Sequence, residues 1–136
     1  MIKILIIGLP GSGKTTLAKN ILSFLNADWF NADAVRKKFK DWDFSKSGVL
    51  RQSKRMASLA KKSKRKYVIA DFVCPYEKGR KIFKPNYLIW MNTTKKGRYS
   101  TFDKTFEVPK NCDLIIKKKI TKKYLKKVII NILAET

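Results

Sequence analysis

The first apolar block of the chain, Ile2–Ile7, is broken only by Lys3. A nearly continuous run of this kind marks a parallel strand covered by helices on both faces, since a half-exposed strand would alternate. A glycine loop, Gly8–Gly13, follows it. Lys14–Leu25 then reads as a helix with Leu17, Ala18, Ile21, Leu22 and Leu25 on one side. Trp29–Phe30 predicts a short second strand ending at Asn31–Asp33, with a helix starting near Asp33 and carrying Val35, Arg36 and Phe39. Beyond a loop at Asp41–Ser45, Ser47 is the predicted cap of a long helix reaching about Ser63. Leu50, Met56, Leu59 and Ala60 form its apolar side.

Tyr67–Val73 is a second strong strand, and Tyr87–Met91 and Leu114–Ile116 are two more. Pro75 suits a first helical turn, and Glu77–Phe83 reads as a short helix. Residues 93–109 are polar and contain Gly97 and Pro109, which predicts a loop or lid. Residues 121–133 place Leu125, Val128, Ile129, Ile132 and Leu133 on one helical face and four lysines on the other. That is a C-terminal packing helix with a solvated basic side. Five short parallel strands with intervening helices predict a three-layer α/β/α sandwich. Its 136 residues fit a single domain, 1–136.

Charge changes the picture next. Against 10 acidic residues stand 32 basic ones, a net +22, with +7 in residues 1–60 and +15 in residues 61–136. Such an exterior attracts polyanions and phosphorylated small molecules, so nucleic acid is a candidate partner. Lysine outnumbers arginine more than fourfold, so biased composition accounts for the excess equally well. There is no histidine, which excludes His-based acid–base chemistry, His-containing zinc sites and Ser-His-Asp triads. Cys74 and Cys112 form no close metal-ligand pair. Ile2–Ile7 is too short for a signal peptide or a spanning helix, so the expectation is a cytoplasmic protein without a membrane partner. A homodimer is compatible with this reading.

The candidate chemistry begins at Gly8-Leu9-Pro10-Gly11-Ser12-Gly13-Lys14-Thr15, which meets every position of G-x-x-x-x-G-K-[ST], the Walker A phosphate loop. Gly8, Pro10, Gly11, Ser12 and Gly13 let backbone N–H groups turn toward phosphate, and the helix after them adds its positive end. Lys14 is expected at the β- and γ-phosphates of ATP, Thr15 in a Mg²⁺ shell, and Thr16 as a cap or α-phosphate contact. Asp33 and Arg36 project to the same side of a helical start. Beside a γ-phosphate, Asp33 would position a hydroxyl, and Arg36 would hold the acceptor or the transferred charge. Asp71 follows four largely apolar strand residues, and the expected partner of so costly a carboxylate is a Mg²⁺ ion or its water, with a salt bridge to lysine as the alternative. Trp42 and Phe44 are read as either base-stacking or core-filling. Arg51, Arg55 and Arg80 are candidate clamps for an anionic substrate, and Arg98 for ATP phosphates under a closing lid.

With these residues in place, the chain resembles the adenylylsulfate kinases, from Ile2 to about Ile116. Those enzymes transfer the ATP phosphate to the 3′-hydroxyl of adenosine 5′-phosphosulfate (APS). Gly8–Thr16 is similar to their Gly-Leu-x-Gly-x-Gly-Lys-Thr-Thr loop, and Asn31-Ala32-Asp33-Ala34-Val35-Arg36 to their Asp-Gly-Asp-Asn-Val-Arg. Asp43-Phe44-Ser45 stands where they have Gly-Phe-Ser, which implies Phe44 as the base stacker. Phe72-Val73-Cys74-Pro75-Tyr76 is similar to Phe-Ile-Ser-Pro-Tyr, with Arg80 on a following family arginine, and Phe106–Pro109 to Tyr-Glu-x-Pro. The resemblance implies ATP, Mg²⁺ and a nucleotide or sulfonucleotide acceptor. Val49, Arg51 and Gln52 depart from the family's Arg, Glu and Asn, Asn31 replaces an acid, and the lid is shorter. A kinase of nucleoside or polynucleotide 5′-hydroxyls shares the phosphate loop and the Asp-x-x-Arg pair, and is the second reading. A non-catalytic ATP-binding protein is the third.

Overall fold

The computed structural model of the chain describes residues 1–94 and 104–136. Arg98, Phe102 and most of the expected lid lie outside the described residues. The elements run β1 (Ile2–Ile7), α1 (Lys14–Leu22), β2 (Ala27–Asn31), α2 (Ala32–Phe39) and α3 (Lys46–Lys62). They continue with β3 (Tyr67–Asp71), α4 (Glu77–Phe83), β4 (Tyr87–Met91), β5 (Leu114–Ile116) and α5 (Lys122–Glu135). All strand pairings are parallel, in the order β2-β3-β1-β4-β5. The chain therefore has the α/β/α sandwich that its alternation of strand and helix predicts.

Strand β1 explains why the sheet is covered on both sides. Ile4 and Ile6 enter one core with Leu17, Ala18 and Ile21 of α1 and Leu125, Val128 and Ile132 of α5. Leu5 and Ile7 point the other way, into a core with Val35 of α2, Met56 and Ala60 of α3 and Phe83 of α4. Both sets of β1 side chains are fully buried, so neither face of the strand has room for a polar residue. Because every strand is parallel, their carboxyl ends share one edge, where ligands of open α/β sheets bind. β1 delivers Gly8 to that edge, while Asn31 of β2 and Asp71 of β3 arrive there in register with each other.

Some boundaries differ from the periodicity. β2 begins at Ala27, two residues before Trp29, because Ala27 and Asp28 pair with Tyr67 and Val68 although Asp28 interrupts the apolar run. β3 stops at Asp71, since β1 has turned into the glycine loop and Val73 has no strand beside it. α1 ends at Leu22, where Ser23 Oγ donates to the Asn20 carbonyl at 2.7 Å. Leu25 still packs on the core from the following turn. Ser45, and not Ser47, caps α3 by accepting from the Gly48 amide at 3.2 Å. α4 starts at Glu77, so Pro75 precedes its cap, Tyr76. No helix among the described residues is long and apolar enough to cross a membrane.

Candidate active site

The loop after β1 has the geometry its glycines permit. A Cβ on Gly8 (φ +154°) would stand 2.7 Å from both the Met91 carbonyl oxygen and Ser12 Oγ. Only glycine therefore lets the loop pack against the end of β4. Gly13, at φ 97°, opens α1 without any side-chain cap, whereas Asn31, Ser45 and Thr121 cap α2, α3 and α5. The first amides of α1 are thus left for another acceptor, and the helix dipole favours an anionic one.

Lys14 Nζ is buried and donates to the Leu9 carbonyl at 3.0 Å. Burial pushes its ammonium down to about 8, against the upward pull of Asp71 and Asp33. Ser12 Oγ is buried without a hydrogen-bond partner among the described residues. Uncapped amides, a buried cation and an orphan hydroxyl in one loop fit a polyphosphate.

Beside the loop, Asp71 is 2% exposed and accepts three kinds of donor. Trp29 Nε1 donates to Oδ2 at 2.6 Å, Asn31 Nδ2 to Oδ1 at 3.0 Å, and Thr15 Oγ1 to Oδ1 at 3.2 Å. Asn31 Nδ2 also reaches Thr15 Oγ1 at 3.2 Å, while its Oδ1 caps α2 by accepting from the Ala34 amide. Burial raises the Asp71 pKa, and the Trp29, Asn31 and Thr15 bonds and the Lys14 charge oppose that rise. The threonine hydroxyl and the carboxylate are hard oxygen donors. Among the described residues no group of three or more His, Cys, Asp or Glu side chains gathers into a protein-only metal cage. This donor set fits Mg²⁺, which takes one or two protein oxygens and completes its shell with water and phosphate. Trp29 and Asn31 escaped the sequence reading as partners of Asp71, because only strand pairing reveals that β2 lies against β3.

A cavity of about 710 Å³ opens at this edge. Pro10, Gly11, Gly13, Lys14 and Thr15 line its phosphate end together with Asp71. Gly8, Ser12 and Thr16 are not part of its wall, the first two being buried and Thr16 exposed. Asp33, in the first turn of α2, borders the same space, and none of the described residues hydrogen-bonds its carboxylate. Arg36 also lines it, but is only 5% exposed. Its Nη1 donates to the carbonyls of Asp41 and Asp43 at 3.0 and 3.4 Å, and its guanidinium lies 4.5 Å from the Phe44 ring centre. Phe44 and Trp42, 44% and 52% exposed, flank the cavity with rings tilted by 53°. They are wall, not core.

The three outer arginines are placed otherwise than as clamps. Arg51 reaches the carboxylates of Asp41 at 3.3 Å and Asp43 at 2.9 Å, and Arg55 holds Asp41 at 3.0 Å and Gln52 Oε1 at 2.9 Å. Neither lines the cavity. Arg80 is buried and does not line it either. Its Nε donates to the Cys74 carbonyl at 3.0 Å, Nη1 to Glu77 at 2.5 Å and Nη2 to the Glu107 carbonyl at 2.6 Å. It ties the turn in which Cys74 adopts φ 45° to Glu107. A run of basic residues at helical spacing cannot distinguish a brace from a clamp. Only the position of Asp41, Asp43 and the carbonyls does.

A five-stranded parallel sheet in this order, with a Walker A loop at its carboxyl edge, defines a P-loop kinase-type α/β/α sandwich. Residues 4–81 match the AAA domain family, and the chain belongs to it. No curated protein matches it in sequence. Among solved structures, it is similar to the APS kinase of Mycobacterium tuberculosis in complex with AMPPNP and APS. That likeness has a TM-score of 0.82 and 15% identity over 97% of each chain. The shikimate kinase of Aquifex aeolicus gives a TM-score of 0.68 and 16% identity, covering 98% of this chain and 97% of the other. A gluconokinase of Sinorhizobium meliloti gives 0.66 and 15%, covering 98% and 90%. At such identities the likeness establishes the fold, which is shared by kinases named for three different acceptors.

Proposed function

We propose that the protein is an ATP-dependent phosphotransferase that moves the γ-phosphate of ATP to a hydroxyl of a nucleotide-like acceptor, as adenylylsulfate kinases do. The observation that carries this is one cavity bordered by the Lys14 loop at one end and by the Asp33 carboxylate and two aromatic rings at the other. Lys14 neutralises phosphate charge, and the uncapped amides of α1 hold the triphosphate in place. The acceptor oxygen attacks the γ-phosphorus as the bond to the bridging oxygen of ADP breaks, and Asp33 takes the hydroxyl proton. Thr15 and Asp71 would hold Mg²⁺, which when bound supplies charge stabilisation to the transferring phosphoryl group. Arg36, held by two carbonyls, acts as a fixed positive charge beside Asp33.

Release of ADP from Mg·ATP, measured with and without candidate acceptors, tests the reading. Acceptor-dependent ADP supports it, and ATP binding with no such release across APS, nucleosides and 5′-hydroxyl oligonucleotides rejects it. The nucleoside 5′-hydroxyl reading is favoured by one specific observation: the arginines expected to bind an acceptor anion are paired with aspartates.

Trp29 supplies a further prediction. Replacing it by Phe removes the donor on Asp71 Oδ2 and keeps an aromatic ring in place. The ratio of ATP affinity in Mg²⁺ to that in EDTA is expected to fall about tenfold, because second-shell donors set metal affinity. Calorimetry checks this, and the affinity in EDTA should stay the same.

A further inference from the structure

Around the outer half of the cavity the arginines and aspartates among the described residues balance, in a protein of net charge +22. Arg36 and Asp33 line this half, and in the adjoining loop and helix Arg51 and Arg55 pair with Asp41 and Asp43. The arginines are held in place. Arg51 and Arg55 both reach Asp41 Oδ2, Arg51 alone grips Asp43, and the Arg36 Nη1 donates to the backbone of the same loop. Asp43 also accepts from the Ser45 amide at 2.9 Å, and these bonds hold its carboxyl down at about 2. To bind a phosphate or sulfate, Arg51 would have to leave two carboxylates, and Arg55 would have to leave Asp41 and Gln52. The network instead ties down the loop that presents Trp42 and Phe44 to the cavity.

Apart from Asp33 and Arg36, the described residues that line this half are flat and uncharged. Trp42, Phe44, Val49, Val73 and Pro75 line it, and Gln52 supplies an amide that is already oriented. Its Nε2 donates to the Ala32 carbonyl at 3.2 Å and its Oε1 accepts from Arg55. An indole more than half exposed gains from being covered by a flat ring. A dianion set against the same wall would lose hydration, and none of its described residues offers an unpaired cation in return except Arg36, whose Nη1 is committed to carbonyls.

Resting on the phosphotransfer reading above, and favouring its nucleoside 5′-hydroxyl form over the sulfonucleotide one, we infer that the acceptor enters as an uncharged, hydroxyl-bearing heteroaromatic group of the nucleoside class. It is either a free nucleoside or the 5′-terminal nucleoside of an oligonucleotide. Arg51 and Arg55 are positioning residues for the aromatic loop and do not touch the acceptor.

The test is coupled detection of ADP at saturating Mg·ATP, with adenosine, AMP, APS and a short 5′-hydroxyl oligonucleotide each varied in turn. Adenosine or the oligonucleotide is expected to exceed AMP and APS in kcat/KM by at least about tenfold, the scale on which a site discriminates a group it cannot pair. The adenosine and oligonucleotide arms separate the two sources. Equal or better use of AMP or APS overturns the inference and leaves the phosphotransferase standing. No ADP from any acceptor, with ATP binding intact, overturns both. Arg51→Ala provides a second readout, which separates loosening of the loop from loss of a phosphate contact. It should lower turnover of adenosine and AMP together and keep their ratio within about twofold, as a residue that does not touch the acceptor requires. A selective tenfold rise in the KM for AMP would show that Arg51 binds phosphate, and would overturn the assignment.

Discussion

Asp33→Asn is expected to lower turnover by about 10²- to 10³-fold, the usual contribution of a positioned general base, while ATP affinity stays near that of the unsubstituted chain. The expectation rests on three placements. Asp33 lies in the first turn of α2, whose cap is Asn31, so its own side chain is not needed to close the helix end. It borders the cavity that Lys14 lines, and its charge acts on both Lys14 and Arg36. None of the described residues hydrogen-bonds its carboxylate, which leaves it available to a substrate proton. The amide is isosteric and cannot accept that proton, so the loss should fall on kcat with the KM for ATP unchanged. Single-turnover measurement with bound ATP separates this from slow product release. Wild-type single-turnover rates in the variant would remove Asp33 from the chemistry.

The parts of this site that could be read along the chain are those in which a residue's role is local. The glycine loop is one, because Gly8 and Gly13 take backbone angles that the motif itself encodes. β1 and β4 are others, since their burial on two faces shows as apolar runs, interrupted only by Lys3, and the short apolar β5 was legible although Ile115 is exposed. Asp71 was legible as an acid that needed a partner. Its actual donors, Trp29 and Asn31, were not, because they depend on β2 pairing with β3 across about forty residues of chain.

The arginines illustrate the same limit from the other side. Arg51, Arg55 and Arg80 look alike in sequence, as cations on helices near a phosphate site. The fold then sets Asp41 and Asp43 opposite two of them and three carbonyls around the third. Ser47 lost the cap of α3 to Ser45 for a similar reason. The loop is tied at Asp43 by the Ser45 amide, so the chain enters the helix two residues earlier.

Lys14→Met should act in opposite directions on stability and on nucleotide binding. The ammonium is buried against the Leu9 carbonyl, and desolvation pulls its pKa from 10.5 to about 8. Because the folded state lowers this pKa, protonated Lys14 opposes folding below pH 8. That opposition fades as pH rises from about 8 to 10.5, so stability should rise across this window. A methionine keeps the stem and removes the charge. It should stabilise the ATP-free protein by on the order of 2–3 kcal/mol near neutral pH, as the size of the shift implies, seen as a higher thermal midpoint.

Nucleotide binding has the reverse sign. A triphosphate beside Lys14 raises its pKa, so the attraction is fully present below about 8 and is lost as pH rises toward the pKa of the bound state. Affinity for ATP in excess EDTA, which removes metal from the measurement, should be level up to pH 8 and then fall by up to about tenfold per pH unit. In Lys14→Met the affinity should drop by about 10²-fold or more at pH 7, the scale of a lost preorganised charge, and should show no such decline with pH. A variant that is both less stable and still able to bind ATP would place Lys14 in the scaffold and not at the phosphates.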